Sequence, residues 1–308
     1  MSTVEQILDV RKVAGAIGAE VTGVRLSGDL DDSVVAAVRA AVLEHRVVFL
    51  RGQDHLDDEI QAAFARRLGE LTTAHPTVPS VEHDRTVLAV DSAGGNRANS
   101  WHTDVTFVDH PPAFSLLRAI VLPPYGGDTS WANTVTAYES LPAPLRELAE
   151  RLWAEHTNDY DYATSHAVVE LTEEQAARQE EFTATVYKTE HPVVQVHPET
   201  GEKALLLGQF AQRFVGLTGT DSRHLLALFQ EHVTRLENTV RWQWQPGDIA
   251  IWDNRGTQHY AVADYGDLPR RLHRVTVVGT VPVGVDGRRS IARQGDASGY
   301  LAAGRAAG

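Results

Sequence analysis

The segment Trp101-His102-Thr103-Asp104 sets an imidazole and a carboxylate two residues apart. On an extended strand such residues point to the same face, so His102 and Asp104 would stand side by side. A divalent cation of hard or borderline character wants that pair, and a third ligand from a distant strand would complete one triangular face. His259 is the candidate, because it closes PGDIAIWDNRGTQH (246–259), where a buried-looking strand runs into a polar turn. Two histidines and one carboxylate leave three octahedral positions open, an arrangement suited to Fe(II) and O2. The same spacing recurs in His55-Leu56-Asp57, but there a helix start explains the aspartate as a cap.

A second constellation follows in RRLHRVTV (270–277). Strand alternation puts Arg270, Leu272 and Arg274 on one face. If that face is interior, two guanidiniums enter the core beside an apolar side chain. An unpaired charge there costs several kcal/mol, so buried arginines call for anions, with bidentate capture of a carboxylate or sulfonate as the natural use. On a solvated edge strand the same residues would be surface arginines. Arg271 and His273 fall on the opposite face and read as structural.

The elements that must position these groups can be read from periodicity. DDSVVAAVRAAVLEHR (31–46) and LDDEIQAAFARRLGEL (56–71) place apolar residues at helical spacing after acidic caps, and VVFLRG (47–52) reads as a short buried strand between them. From Trp101 onward the period becomes that of strands, in WHTDVTF, FSLLRAIVLPP, DTSWANT, VVQVHPETGEKALLLG, TVRWQWQPGDIAIWDN and RRLHRVTVVGTVP, with HPETGEK as a hairpin turn. The region of about 138–185 is polar and helix-prone, and is expected to be a helical or loop insertion. The expected fold is mainly β with flanking helices, a double-stranded β-helix (jelly-roll) barrel forming a single domain over 1–298, with 299–308 a disordered tail.

Composition narrows the chemistry. The chain has 308 residues, 43% of them apolar, and carries 28 Lys+Arg against 41 Asp+Glu for a net charge of −13. That balance argues against a nucleic-acid partner. No apolar run is long enough to cross a bilayer and the N-terminus lacks a secretory core, so a soluble cytoplasmic protein is expected. Cysteine is absent while histidine occurs 14 times. Disulfides, thiolate catalysis and iron–sulfur clusters are excluded, and any metal would sit on nitrogen and oxygen.

Taken together, these segments resemble the taurine dioxygenase/TfdA family of Fe(II)- and 2-oxoglutarate-dependent dioxygenases. The resemblance covers roughly residues 10 to 284, with WHTDVTF, GGDTSWANT, HPVVQVHPETGEKALL, WQPGDIAIWDNRGTQHYAVADY and RRLHRVTVVG in family order. The subgroup most resembled is taurine dioxygenase together with the alkylsulfatases. By position, the resemblance implies that His102, Asp104 and His259 are the iron ligands and catalytic centre. It implies that Arg270 and Thr129 hold the distal carboxylate of 2-oxoglutarate, and that Arg274, His75 and the Val105 backbone amide hold the anionic head of the primary substrate. Phe210 matches an aromatic wall of the substrate pocket, to which Tyr160 or Tyr162 could add.

The resemblance further implies a reaction with O2 as co-substrate that hydroxylates a small anionic molecule and yields succinate and CO2. Asp104 favours hydroxylation over halogenation, since a small residue there would vacate a site for halide. Members often associate as dimers or tetramers, so a homo-oligomer is expected. The positions that receive the substrate ammonium in taurine dioxygenase are Val78, Arg97 and Ala98 here. The anion grip is kept and the ammonium grip is missing. That points to an alkyl sulfate or sulfonate, with release of sulfate or sulfite and an aldehyde; a tailoring hydroxylase acting on a carboxylate, phosphate or amino-acid-like metabolite is the alternative. A non-catalytic binding module of the same fold would need neither the metal triad nor the Arg270/Thr129 pair.

Overall fold

The computed structural model describes residues 8–92, 98–159 and 173–301. The N-terminal half opens with strands β1 (Asp9–Lys12) and β2 (Ala19–Thr22), helix α1 (Asp32–His45), strand β3 (Val47–Leu50) and helix α2 (Asp58–Leu68). Strands β4 (Val87–Asp91), β5 (Phe114–Val121) and β6 (Thr129–Asn133) follow, then helices α3 (Thr134–Glu139) and α4 (Ala143–Arg151), strand β7 (Trp153–Thr157) and helix α5 (Glu173–Phe182). Strands β8 (Lys188–Pro192), β9 (Val194–Val196), β10 (Lys203–Leu205) and β11 (Ala211–Phe214) precede helix α6 (Gly219–Val233). The chain ends with β12 (Thr239–Trp242), β13 (Ile249–Asp253), β14 (Thr257–Ala261), β15 (Arg271–Val277), β16 (Ile291–Gln294) and helix α7 (Ser298–Leu301).

A seven-stranded sheet in the order β1-β2-β3-β13-β5-β15-β4 forms the frame. Its strands alternate strictly. One face carries Val48, Leu50, Phe114, Leu116, Ile249, Ile251, Val275 and Val277 against α1 and α2. The other carries Val47, Phe49, Leu117, Ala250, Trp252 and Leu272, packed on Trp131, Val240 and Trp242 of the three-stranded sheet β12-β6-β14. Trp131 fills the space between these sheets, with ring centroids 5.3 Å from Phe49 and 5.7 Å from Trp252. β3 and β13 are buried on both faces, which is why they read as unbroken apolar runs. α2 starts where Asp57 accepts the Ile60 amide at 2.8 Å, as the capping reading requires, and His55 bonds the Leu26 carbonyl instead of approaching any metal-ligating group.

Three expectations are corrected. Trp101–Phe107 is not a strand: it makes one bridge, His102 to His259, and then turns. Val105 causes the reversal, at φ 53°. A β-branched residue in the left-handed region costs about 1–3 kcal/mol and persists only where its surroundings over-determine it. The 138–185 region includes a buried strand, because β7 pairs with both β11 and β8 in the four-stranded sheet β11-β7-β8-β16. His156 and Thr157 are both buried, on opposite faces, so neither face of the strand reads as apolar in sequence. The tail is ordered as far as Leu301: Tyr300 is 3% exposed among Val105, Phe107, Phe182 and Phe210, and its carbonyl accepts the Thr73 amide at 2.9 Å. Residues 302–308 lie outside the described residues. No helix among those described is long and apolar enough to cross a membrane.

Tyr300 thus closes a core cluster from the far end of the chain. Tyr300→Ala should destabilise the protein by about 3 kcal/mol, by analogy with other large-to-small core changes. A urea unfolding midpoint unchanged from wild type would place Tyr300 outside the cooperative fold.

Candidate functional site

The site is built around one bridge. The His102 amide donates to the His259 carbonyl at 3.0 Å and the His259 amide returns the bond at 2.8 Å. The two imidazoles therefore meet, with centroids 4.1 Å apart. His259 stands on β14, braced by Trp252 at 4.8 Å. His102 Nδ1 donates to the Ser100 carbonyl at 2.7 Å, which fixes the tautomer and leaves Nε2 as the nitrogen with a lone pair.

Asp104 joins them through the turn rather than through strand alternation. Its Oδ2 accepts from Ser115 Oγ at 2.7 Å; Ser115 accepts from Asn254 Nδ2 at 2.7 Å; Asn254 accepts from Trp252 Nε1 at 2.9 Å. Each proton in this relay is committed, so the carboxylate is held from β5 and the end of β13. Its Oδ1 accepts from Arg274 Nη1 and lies 3.8 Å from His259 Nε2. Burial alone would raise the Asp104 pKa, but Arg274, His259, His102 and the Ser115 bond outweigh it and hold it down at about 2. Burial, reinforced by His102, pushes His259 down to about 3. At neutral pH the cluster is one carboxylate and two neutral imidazoles.

The donor set fits a divalent metal. One nitrogen of each histidine and one Asp104 oxygen lie within 4.8 Å of one another, and this is the only such group among the described residues. His259 Nδ1 is buried without a hydrogen-bond partner among the described residues, while Nε2 faces the carboxylate. Two imidazoles and a carboxylate on one face suit a borderline metal with open positions.

A cavity opens beside the triad. His75, Val78, Ala98, Val105, Phe182 and Phe210 line it together with His102, Asp104, His259 and Arg274. His75 Nδ1 accepts the amides of Thr77 (3.2 Å) and Val78 (3.1 Å), so the neutral ring donates from Nε2. Burial, with Arg274 adding to it, pushes its pKa down to about 3. Arg274 Nε is buried and has no acceptor among the described residues. The Val105 N–H also meets no protein acceptor among the described residues.

Arg270 and Thr129 meet farther along the same face, with Leu272 between the two arginines. Four residues of strand separate Arg270 from Arg274, roughly 13 Å. Arg270 Nε donates to the Gly127 carbonyl at 2.8 Å and Nη2 to Thr129 Oγ1 at 3.2 Å. Thr129 Oγ1 also accepts Trp244 Nε1 at 2.9 Å, which leaves its own proton free to be donated. Arg270 is 4% exposed and makes no ion pair among the described residues. Burial pushes its pKa down to about 10, so it stays charged. Gly127, at φ 69°, permits this packing, since a Cβ there would come within 2.9 Å of Arg270 Cδ.

The sequence-derived candidates thus fall into two groups: His102, Asp104, His259, His75, Val105, Phe210 and Arg274 around the cavity, and Arg270 with Thr129 beyond Leu272. Arg271 pairs with Asp91 and His273 with Asp58, away from both. Arg97, Tyr160 and Tyr162 lie outside the described residues. Sequence reasoning missed Phe182, whose ring stands 5.4 Å from His75 and whose only signal is a lone aromatic ending a polar helix. It also missed Trp244 and the Ser115–Asn254–Trp252 relay, which nothing local reveals.

A family model described as "Taurine catabolism dioxygenase TauD, TfdA family" matches residues 9–276. The chain is 59% identical over 283 residues to an "Alpha-ketoglutarate-dependent sulfate ester dioxygenase" of Pseudomonas putida, covering 92% of this chain and 93% of that protein. It is 53% identical over 282 residues to an "Alkylsulfatase" of Acinetobacter baylyi, covering 92% and 88%. Among solved structures, a taurine dioxygenase from Burkholderia xenovorans is similar at TM-score 0.80 and 42% identity, over 96% of this chain and 98% of that one.

Removing one imidazole should remove the metal site while a capping-region histidine is dispensable. His102→Ala and His259→Ala should each weaken divalent-metal binding at least 100-fold by anaerobic calorimetry, about 2.7 kcal/mol. His55→Ala should bind as wild type does, and an equal loss there would refute the triad.

Proposed function

The chain belongs to the taurine catabolism dioxygenase TauD, TfdA family and is a 2-oxoglutarate (α-ketoglutarate)-dependent dioxygenase, and from that premise we propose that it hydroxylates a medium-chain alkyl sulfate or alkanesulfonate with Fe(II) held by His102, Asp104 and His259. Iron there would supply O2 activation coupled to oxidative decarboxylation of 2-oxoglutarate to succinate, turning a substrate C–H into C–OH. The chain's own residues bind, orient and exclude water. Arg270 and the Thr129 hydroxyl take the far carboxylate of 2-oxoglutarate in charge-assisted bonds. Arg274, the His75 Nε2–H and the Val105 amide take the anionic head of the primary substrate.

One observation carries the substrate reading: Arg274 Nε is buried without an acceptor among the described residues, at the polar end of an otherwise apolar cavity. A buried donor left unpaired is costly, so the site calls for an anion. The walls beyond it include Val78, Ala98, Phe182 and Phe210. An ammonium against Val78 and Ala98 would be desolvated without a partner, whereas an alkyl tail gains about 0.8 kcal/mol per buried CH2. The sulfate ester dioxygenase and alkylsulfatase relatives support the same class. Hydroxylation of the carbon bearing a sulfate ester gives a product that loses its C–O bond to sulfate, leaving an aldehyde; the sulfonate analogue loses its C–S bond and gives sulfite.

The two facing sheets support reading the core as a double-stranded β-helix within one domain. A cytoplasmic homodimer or homotetramer belongs to the same proposal, supported by the absence of cysteine and by exposed apolar residues such as Val215 and Ile291.

Turnover decides the substrate. With Fe(II), ascorbate and 2-oxoglutarate, hexyl sulfate should be turned over with a kcat/KM at least tenfold above that for taurine. Faster turnover of taurine would sink the proposal, and turnover of neither would favour a carboxylate or phosphate metabolite. Separately, Arg270→Ala should raise the KM for 2-oxoglutarate tenfold or more, from loss of about 1.5–3 kcal/mol, with metal affinity little changed. An unaltered 2-oxoglutarate KM would move the carboxylate anchor elsewhere.

A further inference from the structure

Val105 sits in a conformation that valine does not choose, and the reason lies on a different sheet. In the pairing of β7 with β8, Ala154 is opposite His191 and His156 is opposite Thr189. Opposed residues share a face, so His156, Thr189 and His191 project the same way, and all three are at most 1% exposed. They converge on the two residues that follow Val105. His191 Nε2 donates to the Thr106 carbonyl at 2.7 Å, His156 Nδ1 bonds Thr106 Oγ1 at 2.9 Å, and Thr189 Oγ1 donates to the Phe107 carbonyl at 2.9 Å. The two imidazoles meet edge to face with centroids 4.8 Å apart. The Thr106 carbonyl can only accept, which commits the single ring proton to Nε2 and leaves Nδ1, 2.6 Å from Ser290 Oγ, without one. Burial pushes the His191 pKa down to about 4, so the ring is neutral and has that one donor to give.

The near side of the turn is held as firmly. Thr103 Oγ1 donates to the Thr257 carbonyl at 2.7 Å, and Asp104 is fixed by Ser115 and Arg274. Val105 is the link between these two clamps, at φ 53° and 3% exposed. Left-handed residues in a turn present their N–H groups to a concavity, the geometry of backbone anion nests. Apolar side chains of similar volume on β7 and β8 would fill the same space without polar desolvation. Three buried hydrogen-bonding groups aimed at one pair of residues do something packing does not.

We propose that His191, acting with His156 and Thr189, is the positioning device for the substrate's anionic head, gripping Thr106 and Phe107 so that Val105 is kept left-handed with its N–H toward the cavity. This rests on the reading that Val105 and Arg274 take an anion, and it assigns no contact between the histidines and any ligand. The Arg270/Thr129 anchor is independent of the turn, so the device should govern one ligand and not the other.

The test uses the Fe(II)-loaded enzyme under nitrogen, with hexyl sulfate and 2-oxoglutarate as separate calorimetric titrants. His191→Leu should weaken hexyl sulfate binding at least tenfold and change 2-oxoglutarate affinity less than twofold. His191→Gln, whose amide can still donate to Thr106, should stay within threefold of wild type. Adding Val105→Gly to His191→Leu should bring the affinity back to within threefold of wild type, because glycine accepts positive φ without a clamp. Thr189→Val, a milder loss on the same face, should weaken hexyl sulfate binding at least threefold, and it serves if His191→Leu does not fold. Equal losses for both ligands, no loss in either variant, or no restoration by Val105→Gly would overturn the proposal. If wild type itself does not bind hexyl sulfate, the substrate reading fails instead. Crystals of Thr189→Val or His191→Leu then decide the positioning role, which a Val105 φ unchanged near 53° in both would refute.

Discussion

A carboxylate with 2% exposure is the constraint on which the rest of the site depends. Bulk solvent scarcely reaches Asp104, and with both imidazoles neutral its charge at neutral pH is kept by Arg274 and by one hydroxyl proton. Removing one partner of such a buried pair costs about 3–5 kcal/mol, because the survivor is left charged and unpaired. Each partner comes from a different part of the chain: Arg274 from β15, His259 from β14, Ser115 from β5. The strand order that brings β5, β13 and β15 together is therefore also what brings the charges into balance.

The packing of the sheets serves the same end. Alternation along β3, β5, β13 and β15 sends one set of side chains to the helices and the other to the tryptophan-rich layer against β6 and β12. That second layer is rigid and large, and Trp252 reaches from it to brace His259 while its indole N–H starts the relay that ends on Asp104. Dense aromatic packing fixes His259 on β14, and the bridge to His259 and hydrogen bonds from packed strands fix His102 and Asp104, although both stand on an irregular turn.

Two arginines on one strand face divide the polar chemistry. Arg270 is cradled by Gly127 and Thr129 and has no acidic partner among the described residues, whereas Arg274 is half-satisfied by Asp104. Leu272 stands between them and is fully buried. The two guanidiniums thus sit in different surroundings: Arg270 is enclosed and lies outside the lining of the cavity, whereas Arg274 borders the triad and lines that cavity. A chain with net charge −13 concentrates positive charge here by burial, where screening by solvent is weakest.

Much of this was legible in the residues themselves. The helices at 31–46 and 56–71, the strand between them, the hairpin at HPETGEK and the inward set Arg270, Leu272 and Arg274 all follow from periodicity, which local chain geometry enforces. The absence of cysteine and the His-x-Asp spacing, with a late histidine, named the donor atoms. What sequence could not decide was how His102 and Asp104 come to share a site. Alternation predicted the right pairing for the wrong reason, since the chain turns at Val105 and contacts from β5, β7, β8 and β15 hold the turn. β7 was hidden because it buries the polar side chains His156 and Thr157, one on each face, whose partners are distant in sequence, and Tyr300 because one aromatic in a run of small residues has no periodicity to betray it. Local pattern determines which residues can make an element; long-range hydrogen bonds and packing decide the conformations that local preference opposes, and only the tertiary structure holds them.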